Sequence, residues 1–186
     1  MKELDFENKL IDYLTSGTIT PVADVADGKV TEERLKYRPI KMKIWKYESN
    51  IKTTDDLWNN FRSILYFLNQ DKLDRPLSDS EFNQVKQVIS GLKSPYEAGQ
   101  FLYGLNGVSQ VEVDLDEGRH VFLTVFDQKQ VGAGNTVYQV VNQIRRVPKI
   151  TGRQERRFDT TLLINGLPVI QIEEKADTHD VNEALN

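Results

Sequence analysis

The chain has no cysteine among its 186 residues, and it has only two histidines. Without cysteine, disulfide bridges and thiolate metal sites are excluded, which fits the reducing cytosol. No uninterrupted apolar run approaches the roughly 20 residues that cross a bilayer, so we expect a cytoplasmic protein with no membrane segment. The formal net charge of -4 excludes nucleic-acid binding by overall charge, so such binding requires a local basic patch.

A chain of this length is expected to form one domain with its own apolar core. Residues 54–104 have the spacing of three helices, and Ser78 with Glu81 forms the pattern of a capping box. Ser94 followed by Pro95 is typical of another helix start. From about Val108 the apolar period changes to two, which indicates strands. The pattern predicts an α/β fold, a mixed central β-sheet flanked by α-helices.

The stretch with the clearest chemistry runs from residue 158 to residue 175. Two apolar, β-prone runs are joined by Asn165-Gly166, which predicts a hairpin. Asp159 lies near the start of the first run, and the triplet Glu173-Glu174-Lys175 closes the second. A metal-dependent phosphodiesterase needs two carboxylates for a hard divalent cation and an ammonium beside the attacked phosphate.

A shared site requires Asp159 and Glu173 to lie on one face of this hairpin. A regular two-residue Asn-Gly loop would leave Glu173 facing away from Asp159. A three-residue loop over residues 164–166, with Gly166 in the left-handed conformation, places Asp159 opposite Gln171 and on the face of Glu173. We therefore predict a three-residue turn with a bulge, or an equivalent bulge elsewhere in the hairpin.

Other polar residues allow less specific interpretations. Asp127-Gln128-Lys129, with Asp114 upstream, also has the acid-x-lysine pattern, but it runs into a glycine-rich turn where lysine serves solubility. Glu7 on the first helix is either a third acidic group of a nuclease or a glutamate of the first turn that is solvated or favoured by the helix dipole. His120 has no partner in the sequence, which favours a structural role.

Six basic residues and one acid precede Asp159. The basic residues are Arg145, Arg146, Lys149, Arg153, Arg156 and Arg157. They form either a patch for DNA phosphates or a solvated basic loop. Their position next to Asp159 favours the patch.

These stretches together resemble the nuclease domain at the amino end of the restriction (motor) subunit of type I restriction-modification enzymes, within the PD-(D/E)xK nuclease superfamily. The hairpin carries the resemblance through Asp159, residues 164–168 and residues 172–175. The similarity extends over most of residues 54–186. It includes residues 58–62, Asn69, residues 76–82, residues 94–98 and residues 140–143.

The resemblance implies a PD-(D/E)xK fold and Mg²⁺-dependent hydrolysis of double-stranded DNA. Asp159 and Glu173 would hold the metal together with the backbone carbonyl of Glu174, and Glu7 matches a first-helix acid of some members. Lys175 would orient or activate water and stabilise the developing charge. Glu174 departs from the usual apolar residue of the triplet.

The resemblance also implies partners. In the family the nuclease is followed by two helicase-like ATPase domains, and the subunit works with modification and specificity subunits. We therefore expect residues 1–186 to be a single nuclease domain at the amino end of a larger translocase subunit, with ATP bound only by the motor domains. The family's glutamine-tyrosine motif would fall beyond Asn186.

Two other functions stay open from the sequence. One is a non-catalytic module of the same fold that binds DNA or docks partner subunits, and the other is a stand-alone defence or repair nuclease. An intact arrangement of the two acids and the lysine around a divalent metal favours an enzyme. A reading frame that continues into ATPase motifs favours the restriction subunit.

Overall fold

The structure is a computed structural model that describes residues 3–16, 45–131, 134–146 and 156–173. Within these ranges the elements are α1 (Glu3–Ser16), β1 (Lys46–Tyr47), α2 (Thr54–Leu68), α3 (Asp79–Ser90), α4 (Pro95–Tyr103), β2 (Val108–Asp114), β3 (His120–Asp127), β4 (Tyr138–Arg146), β5 (Arg156–Ile164) and β6 (Leu167–Ile172). No helix in these ranges has the length and apolar character needed to cross a membrane.

Helices α2, α3 and α4 begin at hydroxyl side chains that cap them. Thr53 and Ser78 form capping boxes, in which the side chain accepts from the third helical residue and that residue's carboxylate accepts from the cap backbone. Ser94 caps α4, and Pro95 lies in its first turn. The predicted starts of α3 and α4 are confirmed.

The strands form two sheets. Strands β2 and β3 make an antiparallel pair. The other four lie in the order β1-β4-β5-β6, with β1 parallel to β4 and the remaining neighbours antiparallel. The predicted mixed sheet with helices is confirmed. In the described ranges β6 lies at the edge of this sheet and not at its centre, so the hairpin contributes one inner strand and one edge strand.

Both faces of the four-stranded sheet are covered. On one face Ile11 of α1 packs with Leu162, and on the other Leu57 of α2 packs against the cluster of Leu163. The largest apolar cluster lies between α2, α3 and the β2–β3 pair, and Leu167 joins it from the second hairpin. Residues 160–163 of β5 are therefore buried, and Asp159 lies just before this buried part of the strand.

Candidate metal and DNA site

The β5–β6 hairpin turns through two residues. Asn165 (φ 51°) and Gly166 (φ 80°) both have left-handed backbone conformations, and Ile164 pairs with Leu167. Two central residues with positive φ make the tight hairpin turn that Asn-Gly favours. The predicted three-residue turn is therefore wrong.

A bulge in β6 supplies the extra residue instead. Leu163 pairs with Pro168, whereas Leu162 pairs with Ile170, so Val169 has no partner of its own. A bulge of this kind sets two residues of one strand against one of the other and shifts the register beyond it. The alternative prediction, an equivalent bulge elsewhere in the hairpin, is thus confirmed.

Beyond the bulge, the register brings the two candidate acids to opposite positions. Thr160 pairs with Ile172, so the same register continued by one residue sets Asp159 opposite Glu173. Directly opposed residues share a face of the sheet, with Cα atoms about 4.5–5.5 Å apart. Asp159 is half-buried and Glu173 is exposed. In that continued register the two acids would share a face, with Glu173 rather than Gln171 opposite Asp159.

Hydrogen bonds and a close packing contact hold the Asn165-Gly166 turn against neighbouring elements. The Asn165 side chain accepts a hydrogen bond from the Val137 backbone N–H at 2.9 Å and donates one to the Val125 carbonyl at 3.0 Å. At Gly166, a Cβ would lie 2.9 Å from the Cα of Phe61 in α2. These contacts require a small left-handed residue at the second turn position, and they fix the hairpin against α2 and β3.

Part of the predicted site lies outside the described residues. Glu174 and Lys175 follow the last described position of the hairpin, and Lys149 and Arg153 lie between β4 and β5. The predicted roles of these four residues stay predictions.

Four of the six predicted DNA-binding residues form two opposed pairs at the ends of β4 and β5. Arg145 pairs with Arg157, and Arg146 pairs with Arg156, and all four are exposed. Like charges set directly opposite destabilise a sheet. No carboxylate of the described ranges forms a salt bridge with them. The arrangement concentrates positive charge two residues along β5 from Asp159.

Glu7 is buried, with 3% of its surface exposed, so the alternative of a solvated glutamate is wrong. Its carboxylate accepts hydrogen bonds from Asn142 Nδ2 and Gln143 Nε2, both at 2.6 Å. Among the described residues no three histidine or acidic side chains are grouped so that they could hold a metal ion. The structure thus does not bring Glu7 into a ready ligand set with Asp159 and Glu173, and its metal role stays a prediction.

A polar network that the sequence analysis missed adjoins Glu7. Lys52 Nζ donates to Asn142 Oδ1 at 2.6 Å, and the Tyr47 hydroxyl donates to the same oxygen at 2.8 Å. Burial lowers the pKa of the Lys52 ammonium, and the Glu7 carboxylate offsets part of that effect. Lys52 and Tyr47 lie 90 and 95 residues from Asn142, so no local pattern marks them. Of the residues in this network besides Glu7, the sequence pointed only to Asn142 and Gln143, which lie in a stretch that carries the family resemblance.

The residues present fit a hard divalent cation. Asp159 and Glu173 offer carboxylate oxygens from opposed positions, and Mg²⁺ in proteins commonly takes one or two carboxylates and completes its shell with water. Gln143 Oε1, in the amide that donates to Glu7, is buried and has no hydrogen-bond partner among the described residues. Gln143 occupies the position of β4 across from Asp159. An oxygen-rich site of this kind is chemically suited to Mg²⁺.

The second acid-x-lysine pattern does not form a comparable site. Val108 pairs with Asp127 and Asp114 pairs with His120, so Asp114 and Asp127 lie at opposite ends of the β2–β3 pair. Asp127 Oδ1 accepts from the Lys129 backbone N–H at 2.9 Å and caps a short 3₁₀ turn. A hydrogen bond to Asp114 at 2.7 Å raises the pKa of His120 on the exposed surface. Both features are local surface contacts.

Comparison with known proteins gives a consistent result. The family model described as Type I restriction enzyme R protein N terminus matches residues 29–186. The chain is 34% identical over 137 residues to the Type I restriction enzyme SauMSSORF170P endonuclease subunit of Staphylococcus aureus (strain MSSA476), covering 73% of the chain and 14% of that relative. It is 34% identical over 142 residues to the SsaAORF53P endonuclease subunit of Staphylococcus saprophyticus, covering 75% and 14%. The match thus spans about one seventh of the length of these relatives.

Proposed function

Because the chain belongs to the family of type I restriction enzyme R proteins, whose N-terminal region it matches, we propose that it is the Mg²⁺-dependent endonuclease domain of such a subunit. It hydrolyses phosphodiester bonds of double-stranded DNA on a PD-(D/E)xK fold. In the full-length protein, ATP-driven translocation by motor domains delivers the DNA. The domain works in the cytoplasm in a complex with modification and specificity subunits.

One observation supports this proposal above the others, namely the shifted register of β5 and β6, which sets Asp159 opposite Glu173 when it is continued one residue past Thr160 and Ile172. A hairpin with the same turn and no bulge would place Glu173 out of reach on the other face. The bulge at Val169 costs the edge strand a regular pair. In the continued register its effect is to align the two acids on one face.

The proposed mechanism divides the roles among this chain's residues. Asp159, Glu173 and the Glu174 carbonyl bind Mg²⁺, which when bound supplies Lewis-acid stabilisation of the phosphate oxygens. Lys175 follows Glu173 by two residues, a spacing that keeps extended side chains on one face. Its ammonium orients the attacking water and neutralises charge that develops on the phosphate.

The arginine pairs bind DNA in this proposal. Arg145, Arg146, Arg156 and Arg157, together with Lys149 and Arg153, contact phosphates of the duplex and hold the scissile strand at the acids. Such contacts position DNA without reading its sequence. The net charge of -4 makes this local patch the main source of DNA attraction.

The test is plasmid cleavage by the assembled complex with Mg²⁺ and ATP. Asp159→Asn and Lys175→Ala are expected to reduce cleavage at least about 100-fold while ATP hydrolysis continues, because they remove a metal ligand and the group that stabilises charge. Asp127→Asn and Lys129→Ala change the same residue types in the second acid-x-lysine pattern and should cleave at the wild-type rate. Wild-type cleavage by both Asp159→Asn and Lys175→Ala would refute the proposal.

A non-catalytic docking module is the second candidate. It is favoured by apolar surface on and after α4, where Tyr96 is 72% exposed, Tyr103 64% and Leu105 81%. Exposed apolar side chains gathered in one region suit contact with another protein. In that case the acid and lysine variants would cleave normally, whereas Tyr96→Ser with Tyr103→Ser would impair assembly of the complex.

A further inference from the structure

In the described ranges β2 pairs only with β3, so its outer edge has no neighbouring strand. The Asp114 N–H donates to Gln84 Oε1 at 2.9 Å, and the Asp114 carbonyl accepts from Gln84 Nε2 at 2.8 Å. The Asp114 backbone therefore points away from β3 and toward α3. In an antiparallel pair this direction repeats at every second residue, so the N–H and C=O groups of Gln110 and Glu112 also point outward. The register shift of this pair lies before Gln110 and does not interrupt the repeat.

The two edges of the β2–β3 pair differ in how they are covered. On the β3 edge, Thr124 donates its N–H to Asn69 Oδ1 at 2.7 Å and accepts from Asn69 Nδ2 at 2.9 Å, and the Lys72 ammonium binds the next outward carbonyl at 2.9 Å. On the β2 edge, no hydrogen bond within the described part of the chain reaches the outward backbone groups of Gln110 and Glu112, and both residues are exposed. Four backbone groups thus remain for another strand to bind.

Helix α3 runs beside this edge and covers only one end of it. Ser80 Oγ donates to Asp116 Oδ1 at 2.8 Å, and one helical turn later Gln84 binds the backbone of β2 two residues earlier in the chain. Four helical residues rise about 6 Å and two strand residues about 6.6 Å, so the helix and the strand keep in step. Continued by one more turn, the same step would set Val88, which is 42% exposed, beside Glu112. Valine has no polar group, so it cannot repeat the hydrogen bonds that Gln84 makes.

The side chains on the exposed face of this edge favour a basic partner. The side chains of Glu112 and Asp114 are 63% and 79% exposed. His120 Nδ1 lies 2.7 Å from Asp114 Oδ1, whereas His120 Nε2 is 3.9 Å from Glu112 Oε1, beyond hydrogen-bonding distance. Opposite charges set directly across two strands stabilise the pairing, and like charges oppose it. A strand with lysine or arginine opposite Glu112 therefore fits this edge, whereas an acidic strand does not.

We propose that the outer edge of β2 binds a partner polypeptide as an added β-strand, and that the bound segment alternates lysine or arginine with apolar residues. Its main chain forms hydrogen bonds with Gln110 and Glu112. Its basic side chains lie on the face that carries Glu112, and its apolar side chains point to the opposite face, toward α3 and Val88. Strand addition of this kind takes affinity from main-chain hydrogen bonds and specificity from alternate side chains. This surface belongs to β2 and α3 and does not involve the metal site.

The test measures peptide binding by calorimetry on the full-length polypeptide that carries the chain. The probe is a peptide of about seven residues, blocked at both ends, in which lysine alternates with valine. A peptide of the same length that alternates glutamate with valine is its control. The lysine peptide is expected to bind, and the glutamate peptide is expected not to bind, because it sets like charges opposite Glu112.

Variants of the chain test the charge and the free backbone separately. Glu112→Lys is expected to weaken binding of the lysine peptide about tenfold, whereas Asp12→Lys, the same change of charge on the exposed side of α1, should change it less than about twofold. Val88→Gln supplies an amide one turn after Gln84 to cover the Glu112 backbone, and should weaken binding about tenfold through lost main-chain hydrogen bonds. Val88→Leu is of similar size and cannot form those bonds, so it should bind as wild type.

Three results would overturn the inference. The first is no binding of the lysine peptide by the wild type, or equal binding of both peptides. The second is equal affinity of Val88→Gln and Val88→Leu for the lysine peptide, which would place the peptide elsewhere. The third is slow hydrogen exchange of the Gln110 and Glu112 amides without peptide, measured by mass spectrometry, because another part of the same polypeptide or a second copy would then already cover the edge. Rapid exchange that slows when the lysine peptide binds is the expected result.

Discussion

Replacement of Gly166 by alanine tests whether tertiary contact fixes the hairpin that carries the acids. Gly166 has φ 80°, and a Cβ there would lie 2.9 Å from the Cα of Phe61 and 3.2 Å from Cδ1 of Ile64. The first contact is with the backbone of α2, which cannot move aside as a flexible side chain can. Gly166→Ala must therefore strain the turn and also push the hairpin away from α2.

The two costs can be estimated separately. The left-handed conformation costs an alanine about 1–2 kcal/mol. Forcing an extra methyl group into a packed contact typically costs a further 1–3 kcal/mol, so the total is about 2–5 kcal/mol. Gly118, in the turn between β2 and β3, is a matched control, because its φ is 89° and an added Cβ there would meet nothing within 4 Å. Gly118→Ala should therefore lose only the about 1–2 kcal/mol of unfolding free energy that the left-handed conformation costs an alanine.

Urea unfolding followed by circular dichroism measures the difference. Gly166→Ala is expected to have a lower midpoint than Gly118→Ala at an unchanged m value, which corresponds to about 1–3 kcal/mol between the two variants. Equal destabilisation of both variants would show that the turn does not press on α2, and the argument for a fixed hairpin would fail. Loss of cleavage by Gly166→Ala at a temperature where it stays folded would link this contact to the acids.

Three further predictions concern the scaffold and the DNA patch. The side-chain hydrogen bond from Arg75 holds the pKa of Glu81 at about 2, below its ordinary 4.5. Ionised Glu81 therefore stabilises the fold fully above pH 4.5, and this contribution of about 3 kcal/mol is lost as the pH falls to 2. Glu81→Gln should remove this pH dependence of the free energy of unfolding, which urea titration measures. Asn69→Ala breaks three short hydrogen bonds, to the Leu65 and Thr124 carbonyls and from the Thr124 N–H, and a longer one from Lys72 Nζ at 3.5 Å. It should lower the free energy of unfolding by about 2–4 kcal/mol, and a loss under about 1 kcal/mol contradicts this. Arg145→Gln with Arg157→Gln should reduce the slope of log DNA affinity against log salt by about 2, whereas Lys93→Gln, at an exposed position before α4, should not change it.

Local chemistry made several features predictable from the sequence. Cap residues act within three or four positions of the helix start, so Ser78 and Ser94 marked the starts of α3 and α4 correctly. The change to a period of two near Val108 marked the strands. Asn165-Gly166 predicted a hairpin correctly, because asparagine and glycine adopt positive φ more readily than other residues.

The site was only partly predictable. Because side chains alternate between the two faces of a strand, Asp159 and Glu173 can share a face only if the hairpin contains a bulge. The predicted three-residue turn was the wrong place for that bulge. Both turn residues take the left-handed conformation that Asn-Gly favours, and the Asn165 side chain is also hydrogen-bonded to the backbone of Val137 and Val125. The bulge then falls at Val169, on the exposed edge strand, where no apolar pattern distinguishes one residue from its neighbour.

The sequence by itself determined which segments become helices and strands, the order in which they follow, and which acidic pair has the even spacing that a common face allows. Those properties depend on residues a few positions apart, whose preferences act before the chain is compact. Only the tertiary structure decided the register of β5 against β6, the burial of Glu7, and its contact with Asn142 and Gln143. Such contacts join residues about 135 positions apart, and their energies exist only once packing has removed water from between them.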